Sequence, residues 1–97
     1  YVIMKPYQAH LQCEVILGAF PFERGVIVYD KNKAQIASGL FDKSYIKEEK
    51  LEIIVLEENK NEVCIEPLSA HRGQGFMGDI RRIWVPKSSV SIPALAR

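Results

Sequence analysis

Apolar side chains recur at every second residue where this chain is most readable. Leu11, Cys13, Val15 and Leu17 alternate with Gln12, Glu14 and Ile16, the period that turns one face of an extended strand to a core and the other to water. No segment shows a convincing 3.6-residue stripe, so sheet is the means by which this polypeptide buries apolar surface. At 97 residues it has room for one core, because a chain this short buries only somewhat more than half of its unfolded surface. With 47% hydrophobic and 26% charged residues and a net charge of +1, it belongs with globular domains and far from disordered chains. The expectation is one β domain over residues 1–97, with 91–97 an irregular tail.

The same rhythm restarts between polar breaks. Gly25-Val26-Ile27-Val28-Tyr29 ends at Asp30-Lys31-Asn32-Lys33 and resumes as Ala34-Gln35-Ile36-Ala37 and Gly39-Leu40-Phe41, which reads as a hairpin. Leu51 to Leu56 meets Val63-Cys64-Ile65 across the polar run Glu57 to Glu62 in a second one. Tyr1 to Met4 is a first strand, which Lys5-Pro6-Tyr7 ends or makes an edge, since proline cannot donate to a ladder. Ile80 to Val85 is a last strand, closed by Pro86. Ser44 to Lys50 has helical composition, with Ser44 placed to cap a single turn. These short strands and their turns predict an all-β, mostly antiparallel barrel of about six strands, with a compact β-sandwich as the alternative and at most one short helical turn. Closure would remove open strand edges that invite aggregation.

The segment Ile83-Trp84-Val85-Pro86-Lys87-Ser88-Ser89-Val90 resembles the ending of SH3-like barrels, where a strand meets a proline, makes a tight turn and resumes on an apolar residue. The resemblance implies an SH3-like general shape. It is confined to these positions. The acidic and aromatic start of SH3 domains and their tryptophan on a middle strand have no counterpart here, so their site for proline-rich ligands is not carried over.

Several function classes are disfavoured at once. The longest apolar run, Val15 to Phe22, is far short of the roughly 20 residues of a membrane helix and contains a proline, so no membrane partner is expected. A basic stretch followed by an apolar one is missing, so a targeting signal is expected to be absent or already removed. Cys13 and Cys64 lie in apolar strands, where a free thiol behaves as a small hydrophobe. Reduced thiols, with a single disulfide as the alternative, place the chain in the cytoplasm. His10, Cys13, Cys64 and His71 include no closely spaced ligand pair, so neither zinc nor another cofactor is implied.

Charge is segregated. Residues 48–66 hold seven acids (Glu48, Glu49, Glu52, Glu57, Glu58, Glu62 and Glu66) against two lysines, whereas residues 67–97 set Arg72, Arg81, Arg82, Lys87 and Arg97 against Asp79. Either the two segments pair with each other, or the second forms a basic binding surface. Such a surface would centre on residues 69–79, where Gly73, Gly75 and Gly78 let the backbone approach a ligand closely. The order of residues is not that of a phosphate-cradling loop. Single-stranded nucleic acid takes a positive groove plus aromatic faces for stacking. Arg72, Arg81, Arg82 and Lys87 would supply the charge, with Phe76 and Trp84 as the platforms. The competing readings are a loop with Phe76 and Met77 tucked onto the core, and a Trp84 that is itself a core residue, as its area favours.

Two further classes remain. A small ribonuclease-like enzyme would pair His71 with Asp79 or Glu66 and use Arg72 to stabilise an anion; His10, expected in a turn, has a weaker case. A protein-interaction module, docking another protein or a second copy of itself, would use an edge strand such as Tyr1 to Tyr7, or Phe20-Pro21-Phe22 as a docking patch. The preferred reading of those phenylalanines is that both plug the barrel end, because paired exposed aromatics are costly in a monomer. The leading expectation is a non-enzymatic module that binds DNA or RNA through Arg72, Gly73, Gly75, Phe76, Arg81, Arg82 and Lys87.

Overall fold

A computed structural model describes residues 5–92. Its strands are β1 (Tyr7–Gln12), β2 (Glu14–Leu17), β3 (Glu23–Tyr29), β4 (Gln35–Asp42), β5 (Ile46–Lys47), β6 (Lys50–Glu58), β7 (Glu62–Pro67), β8 (Ile83–Pro86) and β9 (Val90–Ser91). Six of them form a curled, half-barrel sheet in the order β8-β7-β6-β1-β9, with β5 also on β6. The other three form a small second sheet, β2-β3-β4. Every pairing is antiparallel. The all-β reading therefore stands, but the expected strands divide between the sheets, the hairpin read at residues 25–41 forming β3 and β4 of the small one. Three short 3-10 turns, at Lys43–Tyr45, Leu68–Arg72 and Lys87–Ser89, replace the single helical turn.

Alternation explains how the two sheets share one core. Leu11, Leu51, Ile53, Val55 and Ile65 point inward from the large sheet, and Val26, Val28, Ala37 and Phe41 meet them from the small one in a single buried cluster. Each such side chain larger than Ala37 contributes about 1.5–3 kcal/mol when fully buried. Cys13 and Cys64 are free and buried. No helix among the described residues is long and apolar enough to cross a membrane.

Both hairpins form, and their turns show why. Asp30 Oδ1 accepts from the N–H groups of Asn32 and Ala34, and Lys33 takes a positive φ of 64°. In the second hairpin Asn59 Oδ1 accepts from Asn61 and Glu62; the turn is shorter than the polar run suggested, because Glu57 and Glu58 belong to β6. The ending runs as the SH3-like resemblance implies: β8 reaches Pro86, a 3-10 turn follows, and β9 returns to pair with β1 through His10–Ser91 and Leu11–Val90. Ser91 is thus paired, while residues 93–97 of the expected tail, like the expected first strand Tyr1 to Met4, lie outside the described residues.

Four expectations need correction. The strand read through residues 11–17 breaks at Cys13, whose N–H donates to the Glu49 carbonyl while the chain passes from one sheet to the other. His10 lies within β1, not in a turn. Of the stretch 44–50 only Ser44 and Tyr45 are helical, in the 3-10 turn that Asp42, rather than Ser44, caps by accepting from the Ser44 N–H, and Glu48 and Glu49, both at positive φ, turn β5 into β6. The last strand begins at Ile83, because residues 80–82 leave the ladder.

Candidate functional site

Gly73 to Asp79 lines a shallow surface pocket and is pinned to the core at several points. Gly73, at φ 81°, ends the 3-10 turn, and its N–H donates to Ala70. The hydroxyl of fully buried Ser69 donates to the Gln74 carbonyl, and Gln74 Oε1 accepts from the Asp42 N–H. Phe76 then bridges to Gly39 of β4 and to Ile80. Its ring is buried and stands edge-on to Phe41, centroids 5.7 Å apart. Phe76 is therefore a core residue and not a stacking platform, whereas Met77, expected to tuck in, is 68% exposed. Gly75 carries its carbonyl to the place where a side chain on Gly39 would sit.

The acidic and basic segments meet. Arg81 Nε donates to Glu66 Oε1 at 2.7 Å and Arg82 Nε to Glu66 Oε2 at 3.3 Å; Lys87 lies 3.7 Å from Glu58. Both arginines remain mostly exposed around a carboxylate that is itself buried. Arg72 contributes to holding the Asp42 carboxyl below the usual range, behind the Ser44 N–H and hydroxyl that are the main cause. Arg81, Arg82 and Lys87 thus each have an acid nearby, and their field is partly spent within the molecule. Trp84 is 40% exposed, opposite Cys64 on the outer face, while Ile83 and Val85 point inward. The core reading of this tryptophan is overturned.

The ribonuclease pairing is not assembled. His71 Nδ1 lies 2.7 Å from the Leu68 carbonyl, which makes that nitrogen the donor, and Glu66 is held by the two arginines. Burial pushes the Cys13 thiol up to about 11, with Glu49 adding to the effect, and Cys64 upward as well. Neither sulfur is a thiolate nucleophile near neutral pH.

A different surface emerges on the small sheet. With Val26, Val28, Ala37 and Phe41 turned inward, the alternate residues Ile16, Gly25, Ile27, Ser38 and Leu40 form its outer face. Ile16, Gly25 and Leu40 stand in one cross-strand row. Gly25 is needed there, because a Cβ would lie 2.7 Å from Ile16 Cγ1; without one, Ile16 lies flat across the strand. Met77 covers Ser38, its N–H donating to the Ser38 carbonyl at 2.7 Å, and the row opens into a shallow apolar depression. At the β2–β3 turn Phe20 and Phe22 stack in parallel, 5.6 Å apart, yet are 56% and 55% exposed. They do not plug the barrel end. Arg24 holds their loop by donating to the Pro21 and Glu23 carbonyls. Leu17 beside them is 82% exposed.

The unbroken apolar run Val15-Ile16-Leu17 was the available signal for this surface, since three consecutive apolar residues in a strand cannot all face one core. Leu40 and Met77 carried none. Comparison with protein-family models, curated proteins and solved structures returns no match for this chain.

Proposed function

We propose that this chain is a non-enzymatic protein-docking module whose contact surface is the outer face and β2 edge of the small sheet. The observation that carries the reading is the concentration of exposed Ile16, Leu17, Phe20, Phe22, Leu40 and Met77 around one three-stranded sheet. Contiguous apolar surface of this kind is disfavoured in a free monomer and marks interaction sites. The partner that fits is an extended protein segment with apolar side chains, which would add to β2 through its backbone and cover the Ile16–Leu40 row. The test compares capture of host proteins by the tagged chain and by its Leu40→Glu/Met77→Glu variant, whose two exposed positions leave the core untouched. A partner held by the wild type and weakened at least about tenfold in the variant is expected, since tenfold corresponds to about 1.4 kcal/mol and one buried aliphatic side chain is worth more. If no protein distinguishes the two and the chain does not pair with itself, the reading fails.

A second reading is favoured by one observation, the exposure of Trp84 on the face that carries Arg81 and Arg82. A base stacked on this indole with phosphates on the arginines would make a single-stranded nucleic-acid site. Trp84 is the sole tryptophan, so its fluorescence reports the event directly. Oligonucleotide should quench it at low salt, with an affinity that falls steeply as salt rises. Trp84→Ala, followed through a labelled oligonucleotide, should cost about 1–3 kcal/mol. No quenching at low salt would remove this reading.

A further inference from the structure

Resting on the docking reading, we propose that the strand which completes β2 is β2 of a second copy of this chain, so that two small sheets join about a two-fold axis into one six-stranded sheet. The Gly18 N–H donates to the Glu23 carbonyl across the β2–β3 ladder. In an antiparallel ladder the backbone groups of alternate residues turn the same way, so Ile16 and Glu14 address β3. Val15 and Leu17 direct their N–H and C=O groups to the open edge, where no strand among the described residues pairs with β2. That edge is guarded only by its shortness and by Glu14 at its start: it has no lysine, proline or inward charge.

A two-fold axis normal to the sheet keeps each face on its own side, which limits the pairing to registers in which residues of one face meet. Centring on Ile16 sets Val15 opposite the partner's Leu17 and Leu17 opposite the partner's Val15. Both are pairs whose free backbone groups point at each other, giving four interchain hydrogen bonds. Glu14 then falls opposite the partner's Gly18, and the two Glu14 residues stand four positions, about 13 Å, apart along the strands. Centring on Val15 instead halves that separation and leaves Leu17 without a mate in β2. The first register is the one that the charges and the hydrogen-bonding groups both select.

The same register accounts for the exposure of Leu17. Leu17, open to water in one copy, is covered by Val15 of the other on the inner face. On the outer face the rows Ile16-Gly25-Leu40 of both copies become continuous, and the Phe20-Pro21-Phe22 corner of each comes beside the partner's Gln12 to Glu14. Such an interface closes on itself, so it ends at the dimer and does not propagate into aggregates.

Light scattering on the eluting chain should give twice the monomer mass of 11.0 kDa. Leu17→Lys should return the monomer mass with an unchanged circular dichroism spectrum, because Leu17 is exposed and its loss does not touch the core. Register is read by disulfide trapping. Ile16→Cys should crosslink spontaneously, as facing residues on the axis lie about 4.5 Å apart between Cα atoms, within disulfide reach. Leu40→Cys, five strand spacings or about 24 Å from its mate, should not. A monomer at all accessible concentrations overturns the pairing, and so does a dimer indifferent to Leu17→Lys or one trapped by Leu40→Cys in place of Ile16→Cys. If the chain is monomeric but Leu40→Glu/Met77→Glu still loses a captured protein, self-pairing alone falls. If neither result appears, the docking reading falls with it.

Discussion

Phe41→Ala should lower the stability of the domain by about 3–5 kcal/mol, the usual cost of truncating a buried aromatic. The ring is 1% exposed and belongs to the cluster shared by the two sheets. Its edge-on contact with Phe76 also holds the 73–80 loop against β4. Domains of this size have about 5–15 kcal/mol in all, so about a fifth or more of the margin would go. Guanidinium unfolding should show the midpoint falling with its slope unchanged, and the loop amides of Phe76 and Met77 should exchange faster than those of the β6–β7 ladder. A loss under about 1 kcal/mol would mean that this ring does not join the sheets.

Gly39→Ala should cost about 1–3 kcal/mol, as overpacking does, although only a methyl group is added and alanine is usually the better residue in a sheet interior. The added Cβ would lie 2.7 Å from the Gly75 carbonyl oxygen and 3.2 Å from Phe76 Cα, both backbone atoms that cannot swing away. The bridge from Gly39 to Phe76 must therefore open. Because the same Cβ would also stand 3.0 Å from Phe41 Cε2, the two substitutions are coupled. The double variant should lose less than the sum of the single losses, the alanine methyl entering space that the ring has left. Additive losses would show that the loop and the ring act independently.

The strands of the two long hairpins were legible, and where a strand changes its allegiance was not. The hairpins at 25–41 and 51–65 were readable because each had β-branched runs separated by Asp- or Asn-bearing turns, whose side chains cap the backbone locally. The break at Cys13 was not, since β1 and β2 together keep one apolar rhythm and what divides them is the Cys13 bond to Glu49, 36 residues on. The 44–50 segment misled for a related reason. Its composition favours a helical turn, but Ile46 pairs with Leu51, and that pairing holds two glutamates at positive φ, a conformation their side chains do not favour.

The candidate surfaces divide in the same way. Charge segregation was visible, and one of its two readings, that the segments pair, is what Glu66 with Arg81 and Arg82, and Glu58 with Lys87, display. Phe76 and Trp84 exchanged their expected places, with Phe76 inside and Trp84 outside. A lone aromatic between glycines gives no sign of which way it turns, and Trp84 follows the parity of its strand, in which Ile83 and Val85 hold the inner positions.

Period and turn chemistry, both local properties of the chain, were sufficient to specify an antiparallel β protein and most of its hairpins. They act between residues a few positions apart, where covalent geometry and short hydrogen bonds leave few choices. Assignment of strands to two sheets, burial of Phe76 and exposure of Leu17 and the Phe20–Phe22 pair came from contacts between distant segments. Such contacts depend on which surfaces meet when the core closes, and a side chain's own character does not record that.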